Sequence, residues 1–347
     1  MTLHELPHPT STLSRRRVTA AIAGGAAALA LPATAFAQVA TKSPRIAMVT
    51  WRGETDVEKG FRDYVSANGW TPSISTVDAG QDRNKLRVIA ADLARSKPDL
   101  VYSWGTPATL GLVGTHEVPD PLFGSQIPHV FALVADPLGV KLVRDLKNPA
   151  RKITGVSHVP SVQSQWKAMQ SYRKGQAVAM VYNRAEPNSV ATVKEWQNFA
   201  QREGFAFDAH PFEVDNSGAT TAAGAGAIIE AMKRRGADWL LLGPDTFLLS
   251  NLDAVASTAL DLKLPTFATT ESQMAARYPV LAGLISKFVH VGQFAGLKAQ
   301  QLLSQRPDSP AVPIETLKRF AFVVRIGTAQ KLGMYPPMAL MDYAEFR

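Results

Sequence analysis

The chain has 347 residues, of which 46% are hydrophobic and 19% charged, and its formal net charge is +8. That balance excludes a disordered or fibrous chain and gives enough length for two domains of ordinary size. There is no cysteine, which excludes disulfides, a cysteine nucleophile and a lipid-modified N-terminal cysteine.

The first segment reads as an export signal. Ser14-Arg15-Arg16-Arg17 precedes a weakly apolar run over residues 18–31, and Ala35-Phe36-Ala37 places small residues before Gln38. The run is shorter than the ~20 apolar residues a membrane-spanning helix requires. The arginine pair gives it a twin-arginine-like start, with the Sec route as the alternative. Removal of residues 1–37 takes away three arginines and Glu5 and lowers the net charge from +8 to +6. The remaining basic residues are dispersed. The longest run, Lys233-Arg234-Arg235, falls at the end of an expected helix, where cations meet the negative dipole end, so nucleic acid is not an expected partner.

From Arg45 onward short apolar runs alternate with amphipathic helical patterns, the signature of βα repeats and a mostly parallel sheet. Residues 46–49 read as a strand, 56–67 as a helix with Val57, Phe61, Tyr64 and Val65 on one face, and 71–77 as a strand. Leu86, Ile89, Ala90 and Leu93 line the next helix, and a strand over 99–102 runs into Gly105-Thr106-Pro107, where Thr106 reads as an N-cap with proline at the first helical position. Residues 127–132 form a strand ended by Ala135-Asp136-Pro137, where a helix is expected to begin, and 153–157 form another. The chain then crosses to a second series: strands over 177–182, 205–214, 239–242 and 266–268, and helices over 190–200 and 218–235. Residues 281–285 lead back toward the first lobe, followed by a helix containing Val291, Ala295, Ala299 and Leu302. A proline-dense linker over 307–313, a strand over 320–324 and a short helix over 328–332 complete the second lobe. The expected architecture is α/β: two Rossmann-like lobes with mostly parallel sheets, joined by three crossovers. The lobes are expected over 42–158 plus 288–319 and over 159–287 plus 320–347.

In open α/β sheets ligands bind beyond the carboxyl ends of the strands. That rule selects Trp51, Arg52 and Glu54, then Trp104, Gly105 and Thr106, then Asp136 in the first lobe. In the second it selects Tyr182, Asn183, Asn188 and Ser189, then Asp245 and Thr246, then Thr269, Thr270 and Glu271. Hydroxyls, amides and aromatic rings suit a small polar molecule with an apolar body. Trp51, Trp104 or Tyr182 can stack a ring, and Thr106, Ser189 and backbone N–H groups can hold a carboxylate. Asp136 and Asp245 each read equally as helix caps.

No Gly-x-Ser-x-Gly elbow, His-Glu-x-x-His or Walker loop is present, so no catalytic residue, metal or cofactor is assigned. The glycine-rich stretch over 218–226 lacks dinucleotide spacing.

In order and spacing, Gly105-Thr106-Pro107-Ala108, Ile127-Pro128-His129-Val130-Phe131 with Ala135-Asp136-Pro137-Leu138-Gly139, Ile153-Thr154-Gly155-Val156-Ser157, Val181-Tyr182-Asn183 with Glu186, Asn188-Ser189 and Lys331-Leu332-Gly333-Met334 resemble the tryptophan/tyrosine-type ABC transporter substrate-binding family. The resemblance covers the chain beyond the export segment and implies a type I periplasmic-binding fold: a soluble periplasmic receptor, monomeric, delivering a small-molecule ligand to an ABC permease, without catalysis. It implies that Thr106, Asn188 and Ser189 hold the acidic end of the ligand, with an aromatic or apolar amino acid favoured. Members that bind aromatic amino acids tend to carry Ser-Asp-Glu after the strand at 266–268. This chain carries Thr269-Thr270-Glu271, which leaves Asp245 and Glu271 as partners for an ammonium group. A periplasmic sensory protein docking on a membrane receptor such as a histidine kinase is the alternative, and an exported enzyme a more distant one.

Overall fold

The computed structural model describes residues 43–120, 127–306 and 308–347. The export-signal expectation over 1–37 lies outside them.

The first lobe opens with β1 (Arg45–Thr50), α1 (Asp56–Ala67), β2 (Ser73–Asp78), α2 (Arg83–Ser96), β3 (Leu100–Trp104), α3 (Gly105–Val113), β4 (His129–Ala132) and β5 (Ile153–Ser157). The second follows with α4 (Val162–Tyr172), β6 (Ala177–Tyr182), α5 (Pro187–Glu203), β7 (Ala206–Pro211), β8 (Glu213–Val214), β9 (Thr220–Thr221), α6 (Ala225–Arg234), β10 (Trp239–Leu242), α7 (Thr246–Ser250), α8 (Leu252–Asp261), β11 (Thr266–Ala268) and β12 (Ala282–Ile285). The chain then returns through α9 (Phe288–Leu303) and β13 (Glu315–Thr316), and ends in β14 (Ala321–Val324), α10 (Ile326–Leu332) and β15 (Ala344–Phe346).

Two sheets result. The first is six-stranded in the order β13-β5-β4-β3-β1-β2, and all its pairings are parallel. The second is seven-stranded in the order β15-β14-β12-β11-β10-β6-β7, and β14 runs antiparallel to β12. Buried on both faces, the central strands read as unbroken apolar runs such as Trp239-Leu240-Leu241-Leu242. Each sheet reverses its strand order beside its first strand, which opens a crevice at the carboxyl ends. The chain passes between the sheets after β5, after β12 and after β13. No helix among the described residues is long and apolar enough to cross a membrane.

The helix that returns to the first lobe is seated by glycine. A Cβ on Gly60 of α1 would lie 2.0 Å from the Val289 carbonyl oxygen, and one on Gly292 of α9 would lie 1.8 Å from the Val57 oxygen. Without side chains at these two positions the backbones meet directly, while Phe61, Val57, Val291 and Ala295 bury around them. Lys298, also on α9 and only 2% exposed, donates to the Pro313 carbonyl at 2.8 Å and pairs with Glu315, which ties β13 to the same helix.

Four local expectations are corrected. The helix after β3 starts at Gly105, with Trp104 rather than Thr106 in the N-cap position. Gly105 takes φ +81°, a conformation only glycine adopts cheaply, and turns the chain two residues early. No helix follows Asp136: its carboxylate accepts from Gly139 N at 2.8 Å, and Lys141 at φ +57° stops helical propagation. The expected helix over 218–235 begins only at Ala225, because Asp215 accepts from Ser217 N and Ala219 N and folds β8 against β9. The chain also continues past α10 into β15, which pairs in parallel with β14.

Gly292→Ala should lower stability by roughly 1–3 kcal/mol or more through forced separation of α1 and α9. A denaturant midpoint unchanged from the parent would show that the two helices can part freely.

Candidate functional site

The loops at the carboxyl ends of both sheets enclose a cavity of about 60 Å³. The first lobe contributes Arg52 after β1, Trp104 and Thr106 at the β3–α3 turn, and Leu133 and Ala135 after β4. The second contributes Asn188 from the start of α5, Asp245 and Thr246 after β10, and Thr270, Ser272 and Gln273 after β11. His158 and Phe288 close it from two of the connections between the sheets.

The first-lobe wall is fixed by a buried carboxylate. Glu58 Oε2 accepts from Thr55 N at 2.7 Å and from Thr55 Oγ1 at 2.8 Å, a reciprocal cap on α1, while Glu58 Oε1 accepts from Tyr102 Oη at 2.5 Å. Burial raises the Glu58 carboxyl above the ordinary range, and burial with Glu58 alongside raises Tyr102 well above its own. Thr55 Oγ1 in turn accepts from Trp104 Nε1 at 3.1 Å. The same loop is pinned by Asp78, whose Oδ1 accepts from Thr50 Oγ1 and Gly53 N at 2.7 Å each. Arg52 is therefore held at one place, its guanidinium 4.7 Å from the Trp104 ring centroid and its Nη2 donating across the cleft to Ser272 Oγ at 3.0 Å.

The second-lobe acids face backbone N–H groups. Glu186 Oε2 accepts from Thr246 N at 2.9 Å and its Oε1 from Phe247 N at 3.0 Å, satisfying the start of α7. Asp245 caps the same helix through Leu248 N at 2.8 Å and also accepts from Asn183 N and Ser189 Oγ at 2.6 Å each. Burial, with Glu186 nearby as a lesser cause, pushes the Asp245 carboxyl up to about 6. Glu271 accepts from Phe288 N and so caps α9, joining the second-lobe loop to the returning helix.

Two connections are linked to each other where they pass the cavity. Ser286 Oγ donates to the His158 carbonyl at 2.6 Å, and the His158 ring meets Phe288 edge-on at 6.2 Å. His158 is 4% exposed, and its Nδ1 has no hydrogen-bond partner. Burial first, and the Arg52 charge second, lower its pKa to about 3, so the ring is neutral.

Of the residues expected in the cleft, Arg52, Trp104, Thr106, Asn188, Asp245, Thr246 and Thr270 line the cavity together. Gly105 supplies the turn that presents Thr106. Ser189 lies behind Asp245, and Asn183 behind both, accepting from Thr220 Oγ1 at 3.0 Å. Glu54 and Glu271 sit at a neighbouring, more open part of the cleft, where Glu54 pairs with Arg62. Trp51 is packed in the first-lobe core, Tyr182 lies against the second-lobe core, and Asp136 closes its own turn. Sequence reasoning passed over His158, Ser272, Gln273 and Phe288. The signal for His158 and Phe288 was topological, since crossover segments must run beside a cleft between lobes.

A family model described as ABC transporter substrate binding protein matches residues 47–346. A tyrosine-binding protein of Clostridioides difficile (strain R20291) is 22% identical over 278 residues, covering 80% of this chain and 74% of the relative. Among solved structures, an ABC domain from Streptococcus pneumoniae in complex with L-Trp has a TM-score of 0.71 at 22% identity, covering 87% of this chain and 99% of that one. A ligand-free, open substrate binding protein with adhesive properties from Clostridium difficile has a TM-score of 0.66 at 21% identity, covering 88% and 99%. These structural likenesses show the fold.

The buried histidine gives stability a defined pH dependence. Its folded pKa of about 3 lies below the ordinary 6.5, so its contribution is present above pH 6.5 and lost as pH falls toward 3. Asp245 acts oppositely: its raised pKa favours the protonated carboxyl, so stability falls as pH rises from 3.8 through about 6. His158→Gln should flatten the acid limb between pH 6 and 4 by up to one proton, about 1.4 kcal/mol per pH unit. Denaturant midpoints across that range read the slope directly, and an unaltered slope would place the His158 proton elsewhere.

Proposed function

The chain belongs to the ABC transporter substrate-binding family, and on that premise we propose that it is an exported receptor that captures a small carboxylate-bearing molecule and presents it to an ABC permease. The carrying observation is the Arg52–Ser272 contact: a cation from one lobe meets a hydroxyl from the other at the wall of a cavity that both lobes line. A ligand held there touches both lobes only when they are together. Its binding energy therefore shifts the balance from separated to closed lobes by its differential affinity for the two.

The lining suits this class of ligand. Arg52, Thr106 and Ser272 present polar groups, while Trp104, Leu133, Leu249 and Phe288 offer apolar surface for the body of the molecule. A cavity of about 60 Å³ is well below the ~150 Å³ that admits a benzene-sized guest, so a ring-bearing ligand needs the lobes further apart than they stand here. The tyrosine-binding relative and the L-Trp complex favour an aromatic or apolar amino acid or a related carboxylate. Periplasmic location and a monomeric state are part of the same reading, and no catalytic step is assigned.

Mass spectrometry of the protein purified under native conditions from its own source, followed by release of the bound molecule, identifies the ligand. Titration of that molecule into ligand-free protein should show affinity reduced about tenfold by Thr106→Ala, the loss of one hydrogen bond. Affinity untouched in that variant would remove the cavity as the binding site.

A further inference from the structure

The acids and the cation of the cleft are not balanced in what they leave open. Glu186 uses both oxygens on Thr246 N, Phe247 N and Asn183 Nδ2. Asp245 has three of its roughly four acceptor positions filled by Asn183 N, Ser189 Oγ and Leu248 N. Glu271 accepts from Phe288 N and stands outside the cavity lining. The position after β11 that faces the cavity is a threonine, Thr270, and carries no charge. Asn188 Oδ1 has no partner but is sealed from the cavity surface, its amide nitrogen turned to the Pro244 carbonyl.

Arg52 stands in the opposite condition. It takes part in no ion pair among the described residues, and of its five donor positions one is used, on the neutral Ser272 hydroxyl. One face of its guanidinium lies over Trp104, which holds the plane in place. Glu186 and Glu58 act on this partly buried guanidinium at longer range, neither in contact with it, and a bidentate carboxylate is the partner its fork geometry fits. The neighbouring His158 ring is neutral and adds no competing charge.

We propose that the ligand is a carboxylate without an α-ammonium group, its carboxylate paired with Arg52 and its body set against Trp104, Leu133 and Phe288. This rests on the receptor reading given above and narrows its ligand class. An ammonium beside the carboxylate would stand close to the Arg52 charge and find the nearby acid oxygens largely occupied. The open contact positions of Arg52 thus select for the acid and against its amino-acid counterpart.

The test is calorimetric titration of the ligand-free full chain with matched pairs that differ only in the amino group: propionate against L-alanine, 4-methylpentanoate against L-leucine, and 3-phenylpropionate against L-phenylalanine. In at least one pair the deaminated acid should bind at least tenfold tighter than the amino acid. Arg52→Gln should lose tenfold or more of that affinity, and Arg52→Lys should recover part of it. An amino acid binding as tightly as its partner, or better, overturns the proposal and leaves the receptor reading standing. Equal binding of 3-phenylpropionate and its neutral amide, or unchanged affinity in Arg52→Gln, removes Arg52 as the anchor and overturns it as well. Binding by neither member of any pair at millimolar concentration overturns the carboxylate reading itself.

Discussion

Every helix that begins at the cleft exposes backbone N–H groups without intrahelical partners, and the organisation of the site follows from how they are satisfied. At α1, α7 and α9 the chain does so with its own acids, while α3 and α5 carry no side-chain cap. Glu58 caps α1, Glu186 and Asp245 share the start of α7, and Glu271 caps α9. A carboxylate held by two or three such donors is fixed in orientation and largely spent as an acceptor. The acids near the cavity therefore act as struts, and the chemistry facing the ligand is left to an arginine, hydroxyls, an amide and a neutral imidazole.

The same struts make the site rigid within each lobe and dependent on the other lobe for completion. The path from Tyr102 through Glu58 and Thr55 to Trp104, and from the Trp104 ring to Arg52, is continuous in the first lobe. It ends on Ser272 of the second lobe. Arg83, at the start of α2, makes a further cross-cleft contact by donating to the Ala185 carbonyl at 3.1 Å. Both contacts are charge to neutral, so among the described residues separating the lobes strands no ion pair.

Much of this was legible in the sequence, for a physical reason. Parallel strands buried on both faces leave runs such as Val178 to Val181 that alternate with amphipathic helices, and the crevice rule then names the loops without any knowledge of side-chain packing. That is why Trp104, Thr106, Asn188 and Asp245 could be chosen in advance. The orientation of each residue within its loop was not legible. Trp51 and Arg52 are adjacent, and only the turn held by Asp78 decides that Trp51 enters the core while Arg52 crosses the cleft. Thr106 reads as a cap because Thr-Pro is a helix-start signal, but Gly105 in the left-handed region advances the helix by two residues. Asp136 misled in the same manner, since a carboxylate two bonds from the backbone caps a turn as readily as a helix.

The seating of α9 on α1 through Gly60 and Gly292 bears on how the molecule comes into being as well as on how it stands. The Tyr64 hydroxyl donates to Gln300 Oε1 at 2.6 Å across 236 positions of sequence, and the whole second-lobe strand series over β6 to β12 lies between those two residues. The first lobe cannot complete its core while the chain is still emerging from the ribosome short of α9. Until then the apolar side of α1 at Val57 and Phe61 waits uncovered. Contacts of such long sequence separation slow folding and extend the time during which apolar surface is open to other chains. In this architecture the first core waits for α9 and β13 and the second sheet for β14 and β15, so both lobes close only near the end of synthesis, and the interval before the first core closes is the period when the chain most needs to be kept from its neighbours.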